Sequence, residues 1–285
     1  MRSGVFQDFA GEFIGTSILV FFGCSSVAVS ILFSANAGLM QIAMVWGTAV
    51  TLAIYSTRHL SCAHLNPAVS IAMVAAGRMR ITKLPAYVGG QFLGAFAAAA
   101  LLYALFDHSI AHFETLHHIV RGTHASVQTA MMFGEFYPNP GAGSVVSLSE
   151  HGALLAEMVG TFALVFMIFN LTEGCNLGRP DNALAPIFIG ATVTVIISVI
   201  APLTQAGLNP ARDLSPRLFS MLAGWGTAAI QGDGLGSITV YVIGPILGAL
   251  MAAYAFTGVV EPLMKNKPCE SCVTKGEERH VHVES

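Results

Sequence analysis

The sequence contains the tripeptide Asn-Pro-Ala twice, at Asn66-Pro67-Ala68 and at Asn209-Pro210-Ala211. Proline suits the first turn of a helix, where its missing N–H costs nothing, and the asparagine before it is a good N-cap. An asparagine amide can also donate hydrogen bonds to a hydroxyl or water oxygen. The tripeptides therefore predict two helix starts. Their asparagines either act as caps alone, or cap through the oxygen while the nitrogen donates to a neutral molecule.

Two glutamates, Glu12 and Glu157, lie early in long apolar stretches and in similar sequence contexts. A carboxylate inside a membrane span is costly and needs partners. One interpretation is that each accepts hydrogen bonds from irregular backbone leading into a helix start, and the other is that both are solvated near the interface. Their matching positions favour the first. The sequence shows no nucleophile elbow, phosphate loop or aqueous carboxylate pair, so neither an enzyme nor a cofactor is predicted.

The composition indicates a protein whose solvent is the lipid bilayer. Of the 285 residues, 10 % are charged and 54 % are hydrophobic, and the mean hydropathy is +0.67. A soluble domain carries about 25 % charged residues. The net charge of −3 comes without a basic stripe, which argues against a nucleic-acid partner. The five cysteines do not form the pattern of a secreted disulfide framework.

Six stretches are long and apolar enough to span a bilayer, which takes about 20 helical residues. They are Phe9–Leu32, Leu39–Thr57, Leu84–Phe106, His151–Leu171, Ala183–Thr204 and Leu235–Val260. Two apolar segments that contain the tripeptides, Leu65–Gly77 and Leu208–Ala223, are too short to span. The predicted fold class is an all-α membrane protein with six transmembrane helices and two half-helices.

The two halves of the chain repeat each other. Glu12 and Glu157 are separated by nearly the same length of chain as Asn66 and Asn209. Three spans per half invert the second half in the membrane, and half-helices at matching places in an inverted repeat indicate a site at the bilayer midplane. The predicted channel domain covers residues 1–264, with repeats at about 8–106 and 151–260 joined by an extracellular loop, 107–150.

Basic residues set the predicted orientation. Most of the 13 Lys and Arg residues lie in the terminal segments and in the loops after the second and fourth spans. Such residues favour the cytoplasmic side, so both termini are predicted to be cytoplasmic. Residues 265–285 are predicted to form a disordered cytoplasmic tail. Cys269 and Cys272 in this tail are interpreted as free thiols and not as metal ligands.

Beyond the tripeptides, the sequence resembles the major intrinsic proteins, the aquaporin superfamily, and within it the bacterial glycerol facilitators. The resemblance runs from about Asp8 to Cys272, and its strongest segments are Ala63–Val69, Phe113-Glu114, His117–Gly122, Tyr137–Pro140, Pro202–Thr204, Asn209–Asp213 and Leu222–Gly226. It implies the aquaporin fold, a homotetramer with one pore per subunit, and a place in the bacterial inner (plasma) membrane.

The resemblance also implies a narrow constriction formed by Trp46, Ile197, Ala206 and Arg212. Arg212 would offer a fork of donors to adjacent hydroxyls, and Trp46 a flat apolar face to carbon. Glycerol facilitators usually have glycine in place of Ile197 and an aromatic residue in place of Ala206. The combination found here is similar to that of nodulin-type plant intrinsic proteins. Gln205 either offers its amide to the pore mouth or faces the loop.

Further residues receive roles by the same resemblance. The carbonyls expected along the pore wall belong to Cys62, Ala63, His64, Leu65, Ala206, Gly207 and Leu208. The expected structural braces are Glu12, Glu157 and Asp213. Trp225, near the end of the second half-helix, is expected to be an interfacial anchor.

These patterns predict a passive channel for small neutral solutes, namely glycerol or related polyols and water, which excludes protons and ions. Four alternatives stay open: a water-selective channel, a channel for a broader set of neutral solutes such as urea, ammonia or a metalloid acid, a coupled secondary transporter, and a receptor or purely structural membrane protein. A coupled transporter also uses inverted repeats, but it needs an acidic residue at the midplane, for which Glu12 and Glu157 are the candidates.

Overall fold

The structure, a computed structural model, describes residues 2–36, 38–230 and 234–266. Within these residues six helices are long and apolar enough to cross a membrane. The principal helices are α1 (Arg2–Phe33), α2 (Leu39–Thr57), α3 (Pro67–Ala75), α4 (Leu84–Leu116), α5 (Glu150–Thr172), α6 (Ala185–Thr204), α7 (Pro210–Ser220) and α8 (Leu235–Lys265). The predicted tail, including Cys269 and Cys272, lies outside the described residues except for Lys265 and Asn266.

The short helices α3 and α7 begin as the tripeptides predict. Asn66 and Asn209 are the N-caps, with extended backbone, and a proline occupies the first turn of each helix. Both helices start two residues later than the predicted apolar segments, because the residues before the asparagines have non-helical backbone. After α7 the chain makes a π-helical turn at Met221–Trp225.

Helix α4 is longer than predicted. The sequence prediction ended this span at Phe106, but the helix continues to Leu116. The added turns bury Ile110, and the Glu114 carboxylate pairs with Arg121, whose Nη2 lies 2.8 Å from Oε2. These contacts hold polar residues in helical form beyond the apolar run, so the predicted loop 107–150 begins later.

The two repeats interlock. Helix α1 packs on α4 as α5 packs on α8, while α3 packs on α8 and α7 packs on α4, so each half-helix is held by a span of the other repeat. Glycines permit this close packing: a Cβ at Gly94 would overlap the backbone of Phe13, and one at Gly248 would overlap that of Met158. Small residues that let backbones approach are typical of membrane helix contacts.

The two ends of the bundle differ. The end that carries the start of α1 and the end of α8 is called the terminal face, and the opposite end, covered by residues 117–149, is called the loop face. Trp225 lies under this cover and is fully buried. Its Nε1 donates to Thr129 Oγ1 at 2.9 Å, and the Arg121 guanidinium lies 4.1 Å from its ring. The expectation that Trp225 is an interfacial anchor is therefore wrong.

Candidate functional site

The two asparagines meet where the half-helices point at each other. The side-chain oxygen of Asn66 accepts from Ala68 N at 2.9 Å, and that of Asn209 accepts from Ala211 N at 3.1 Å, so each caps its own helix. Each nitrogen crosses to the other repeat. Asn66 Nδ2 donates to Leu208 O at 2.8 Å, and Asn209 Nδ2 donates to Leu65 O at 2.8 Å.

Each amide nitrogen carries two hydrogens, and the crossing bond uses one of them. Asn66 and Asn209 both line the same elongated cavity of about 400 Å³. The second hydrogen of each is therefore placed to donate to a molecule in that cavity. The two interpretations of the asparagines, cap and donor, are compatible in this geometry.

The segments leading into the half-helices have an unusual backbone. Ala63 and Leu65 have φ of 51° and 55°, and Ala206 and Leu208 have φ of 61° and 55°. Such left-handed conformations are strained for residues with a Cβ and persist only where the surroundings fix them. Because the same left-handed conformations occur in both repeats, we infer that they are a structural feature of the site.

Glu12 fixes the first of these segments. It is fully buried, and its carboxylate accepts from His64 N at 2.9 Å and from Leu65 N at 2.7 Å. The Ser61 hydroxyl and the Gln91 amide each donate to it at 2.7 Å. A buried carboxylate with four donors is well compensated.

Glu157 occupies the corresponding place in the second repeat. It is also fully buried and accepts from Gly207 N at 2.9 Å, from Leu208 N at 2.7 Å and from the Thr204 hydroxyl at 2.6 Å. Both glutamates accept hydrogen bonds from N–H groups of the segments that lead into the half-helices, which are called the entering segments. The polar groups that these segments leave for the cavity are therefore carbonyls. The cavity wall includes all seven predicted carbonyl residues: Cys62, Ala63, His64, Leu65, Ala206, Gly207 and Leu208.

The four residues of the predicted constriction come together. Trp46, Ile197, Ala206 and Arg212 all line the cavity, and all four are buried. The Arg212 guanidinium lies 4.2 Å from the centre of the Trp46 ring. Gly23 lies behind that ring, where a Cβ would overlap it. The indole of Trp46 therefore lies between the backbone at Gly23 and the guanidinium of Arg212.

The cavity opens toward both faces. Arg58 and Arg78 line its end at the terminal face. At the loop face, Trp46, Ile197 and Arg212 also line a second cavity of about 940 Å³, the loop-face vestibule. The two cavities therefore join at the predicted constriction. The wall away from the half-helices is largely apolar, with Leu19, Val50, Ile54, Leu164, Ile168 and Val193.

Two neighbouring side chains, His64 and Gln205, form hydrogen bonds with other parts of the protein. His64 Nδ1 lies 3.1 Å from Ser70 Oγ, and its ring packs 4.7 Å from that of Tyr87. Gln205 accepts from Phe136 N at 2.8 Å and donates to Met131 O at 3.4 Å. The amide of Gln205 is therefore bonded to the loop-face cover, which agrees with the interpretation that this side chain faces the loop.

Asp213 supports the loop-face cover. Its Oδ1 accepts from Glu135 N at 2.7 Å and from Arg217 Nη2 at 2.6 Å. Arg217 also donates to Ala229 O at 2.6 Å and to the carbonyl of Glu135. This network joins α7 to the residues that follow α4.

Sequence reasoning missed Glu135. Its side chain is 1 % exposed and forms an ion pair with Arg212 inside the loop-face vestibule. The signal available in the sequence was a single charge within the apolar run Ala130–Tyr137. Among the described residues no cluster of three or more His, Cys, Asp or Glu side chains suits a metal ion.

Comparisons with known proteins agree with this geometry. The family model described as major intrinsic protein matches residues 2–256. The chain is 42 % identical to the glycerol uptake facilitator protein of Haemophilus influenzae over 260 residues, which cover 91 % of this chain and 94 % of that protein. It is 40 % identical to the glycerol uptake facilitator protein of Escherichia coli strain K12 over 268 residues, covering 94 % and 92 %.

Two further relatives extend the comparison. The propanediol uptake facilitator of Salmonella typhimurium is 39 % identical over 273 residues, covering 95 % of this chain and 99 % of that protein. The X-ray structure of the aquaglyceroporin from Plasmodium falciparum superposes with a TM-score of 0.79 at 26 % identity, covering 92 % and 99 %. The predicted all-α membrane fold is confirmed, and the chain belongs to the major intrinsic protein family.

Proposed function

We propose that this protein is a passive channel for small uncharged polyols, such as glycerol, and for water. The observation that carries the proposal is the continuous cavity in which two asparagine donors and a row of backbone carbonyls face an apolar wall. Its relatives are named for the uptake of glycerol and propanediol. The chain is a membrane channel and not an enzyme.

The wall chemistry suits a polyol. A polyol carries its hydroxyls along one edge and its carbons along the other. The carbonyls of the entering segments accept from the hydroxyls and replace water on that side. Asn66 and Asn209 donate to the hydroxyl oxygens at the midplane. The apolar side chains opposite contact the carbons, so the permeant exchanges hydration for matched contacts without any covalent step.

Ions meet unfavourable fields in the same place. The N-terminus of each half-helix carries roughly half a positive charge, and both point to the middle of the cavity. Together with Arg212 they repel cations in a setting of low dielectric constant. A water molecule that accepts from Asn66 and Asn209 has its oxygen oriented by the protein, which interrupts a chain of waters that could relay protons.

The constriction favours a broader range of neutral solutes than glycerol alone. Ala206 presents only a methyl group where an aromatic side chain would fill space, and the branched Ile197 lines the same constriction. Trp46 is the aromatic wall that this set of four provides. We therefore include other compact neutral solutes, such as urea, as second candidates, and the water-selective alternative is tested by the same measurement.

Coupled transport is disfavoured by the two buried glutamates. Glu12 and Glu157 accept hydrogen bonds from four and three donors, respectively, and all but Gln91 belong to the segments they support. A carboxylate that took up and released a proton or sodium ion in each cycle would have to break these bonds. Both are proposed as structural braces of the channel, as is Asp213.

Assembly and topology complete the proposal. The protein is an integral membrane protein with six spans in the described chain. We propose a homotetramer in the bacterial inner membrane with residues 1–264 as the channel domain. The terminal face would be cytoplasmic, because most of the basic residues lie on that side.

The decisive experiment is a permeability panel in proteoliposomes. Stopped-flow light scattering would compare water, glycerol, longer polyols and urea in vesicles with and without the protein. Flux that rises in proportion to the gradient and ignores an uncoupler supports a passive channel. Accumulation of glycerol against its gradient would overturn it, and water flux without glycerol flux would identify a water-selective pore.

A further inference from the structure

The loop-face half of the pore contains four buried charged side chains in contact with one another. Arg212 and Arg217 carry guanidinium groups, and Asp213 and Glu135 carry carboxyl groups. Burial raises the pKa of Glu135 to about 8, while the adjacent Arg212 guanidinium opposes this shift and favours the carboxylate. Side-chain exposure is 7 % for Arg212 and 1 % for the other three. Their formal charges cancel, and each cation has its own carboxylate.

The pairing within this group is specific. Arg217 Nη2 lies 2.6 Å from Asp213 Oδ1, and Arg217 Nε lies 3.1 Å from Asp213 Oδ2. Asp213 is therefore engaged in a two-point contact with Arg217. The Arg212 guanidinium pairs with Glu135 instead. Glu135 is thus the carboxylate that balances the charge at the constriction.

The positive potential of the pore explains why the charge of Arg212 needs a carboxylate partner. Two half-helix N-termini and one arginine give it three sources of positive potential, which repel cations. The same field attracts anions, and it would do so strongly because the site is buried. Repulsion of cations alone would therefore leave a pathway, or a trap, for small anions such as chloride.

We propose that Glu135 is a specificity-determining residue, whose carboxylate offsets the charge of Arg212 and so keeps small anions out of the pore, while the half-helix N-termini still repel cations. This inference rests on the proposed channel function. It assigns anion exclusion to a side chain outside the half-helices and the four-residue constriction.

Apart from the ion pair with Arg212, the hydrogen bonds described for Glu135 use its backbone. Its N–H donates to Asp213 Oδ1 at 2.7 Å, and its carbonyl accepts from Arg217. A substitution of the side chain leaves both of these groups in place. The carboxylate lines the loop-face vestibule beside Arg212, where an entering ion would meet the pair. The electrostatic role can thus be tested apart from the fold.

The test compares Glu135→Gln with the wild-type channel in proteoliposomes. Glycerol flux is measured in chloride and in gluconate at equal ionic strength, and chloride influx is followed with an encapsulated chloride-quenched dye and a potassium ionophore. We expect the variant to show an anion effect of about tenfold, as faster chloride entry or slower glycerol flux in chloride, because removing one member of a buried pair leaves the other uncompensated.

Three further variants make the result specific. Glu150→Gln removes an exposed glutamate at the start of α5 and should leave chloride without effect. Glu135→Asp retains the charge and should exclude chloride as the wild type does. Glu135→Ser removes the charge without adding volume, and it answers the question if the glutamine variant does not assemble.

A double variant identifies the charge responsible. Adding Arg212→Gln to Glu135→Gln should abolish the anion effect, since no uncompensated cation is left. A neutral variant at position 135 that conducts glycerol and ignores chloride overturns the inference, as does an anion effect that persists in the double variant. A wild-type protein that conducts no glycerol would instead count against the proposed function.

Discussion

Tyr87 and Tyr241 occupy corresponding positions in the two repeats, and the hydroxyl of each is hydrogen-bonded to the segment that leads into its own half-helix. Tyr87 lies one helical turn before Gly90, which packs against Glu12, and Tyr241 lies one turn before Gly244, which packs against Glu157. The Tyr87 hydroxyl accepts from Cys62 N at 3.1 Å. The Tyr241 hydroxyl donates to Thr204 O at 3.1 Å.

The hydrogen-bond networks around Glu12 and Glu157 are not equivalent. In the first repeat, Gln91 on α4 adds a hydrogen bond to Glu12, whereas the matching position on α8 is Pro245, which has no such donor. A π-helical turn, Thr239–Ile243, ends two residues before this proline and contains Tyr241. The ring of Tyr241 also packs against Gly207, where a Cβ would lie 2.8 Å from Cδ1. The second entering segment thus depends more on its tyrosine.

Removing the Tyr241 hydroxyl should therefore destabilise the protein. Tyr241→Phe loses the hydrogen bond to Thr204 O and leaves that buried carbonyl with one partner fewer, which costs about 1–3 kcal/mol. We expect thermal unfolding in detergent at a lower temperature. Tyr254→Phe, at a position 63 % exposed on the same helix, is the control and should unfold as the wild type does. Equal unfolding temperatures for both would show that the hydroxyl contributes nothing.

Replacing Glu157 by glutamine should impair the channel more severely. The side chain accepts from two backbone N–H groups and one hydroxyl, and a glutamine NH₂ would face at least one of these donors. Each buried donor left unpaired costs about 1–3 kcal/mol. We expect less folded protein in the membrane and, per folded molecule, reduced glycerol flux. Glutamine at exposed Glu150 is the matched control, and wild-type yield and flux in the Glu157 variant would argue against the brace.

Local signals explain which parts of the fold were predictable. The bounds of α2 match the prediction, Leu39–Thr57, because the apolar run begins after Gly38 and ends before the charged Arg58. The starts of α3 and α7 follow from the capping chemistry of Asn66 and Asn209, which involves only neighbouring residues. The pairing of these asparagines with the opposite repeat follows from the internal repeat, which was also visible in the sequence.

Long-range contacts explain what was missed. Nothing near Glu135 in sequence identifies Arg212 as its partner, since the ion pair joins the loop-face cover to α7. Trp225 was misassigned for the same reason: its burial depends on Thr129 and Arg121, which are distant in the chain. Helix α4 was ended too early because a polar helix turn gains its stability from tertiary contacts, which no local pattern records.

Filling the space beside Ala206 should narrow the solute range. In Ala206→Phe an aromatic ring would enter the constriction that Ala206 and Trp46 both line, in place of a methyl group. We expect urea and glycerol flux to fall relative to the wild type, with longer polyols affected most. Ala125→Phe adds the same volume in the loop-face vestibule, which measures about 940 Å³, and should change little. Unchanged selectivity at position 206 would mean that Ala206 does not line the narrow point.

Cys62 should report on the terminal-face end of the pore. Its thiol is exposed and the residue lines the cavity, whereas Cys24 is buried and Cys175 is exposed but outside the cavity wall. A charged methanethiosulfonate reagent attached at Cys62 would place its charge and volume in the cavity, so we expect it to slow glycerol flux in proteoliposomes. Cys62→Ser should abolish the block and Cys175→Ser should retain it. A block that survives Cys62→Ser would place the reactive thiol elsewhere, and a reagent confined to one side of the membrane would show which compartment the terminal face meets.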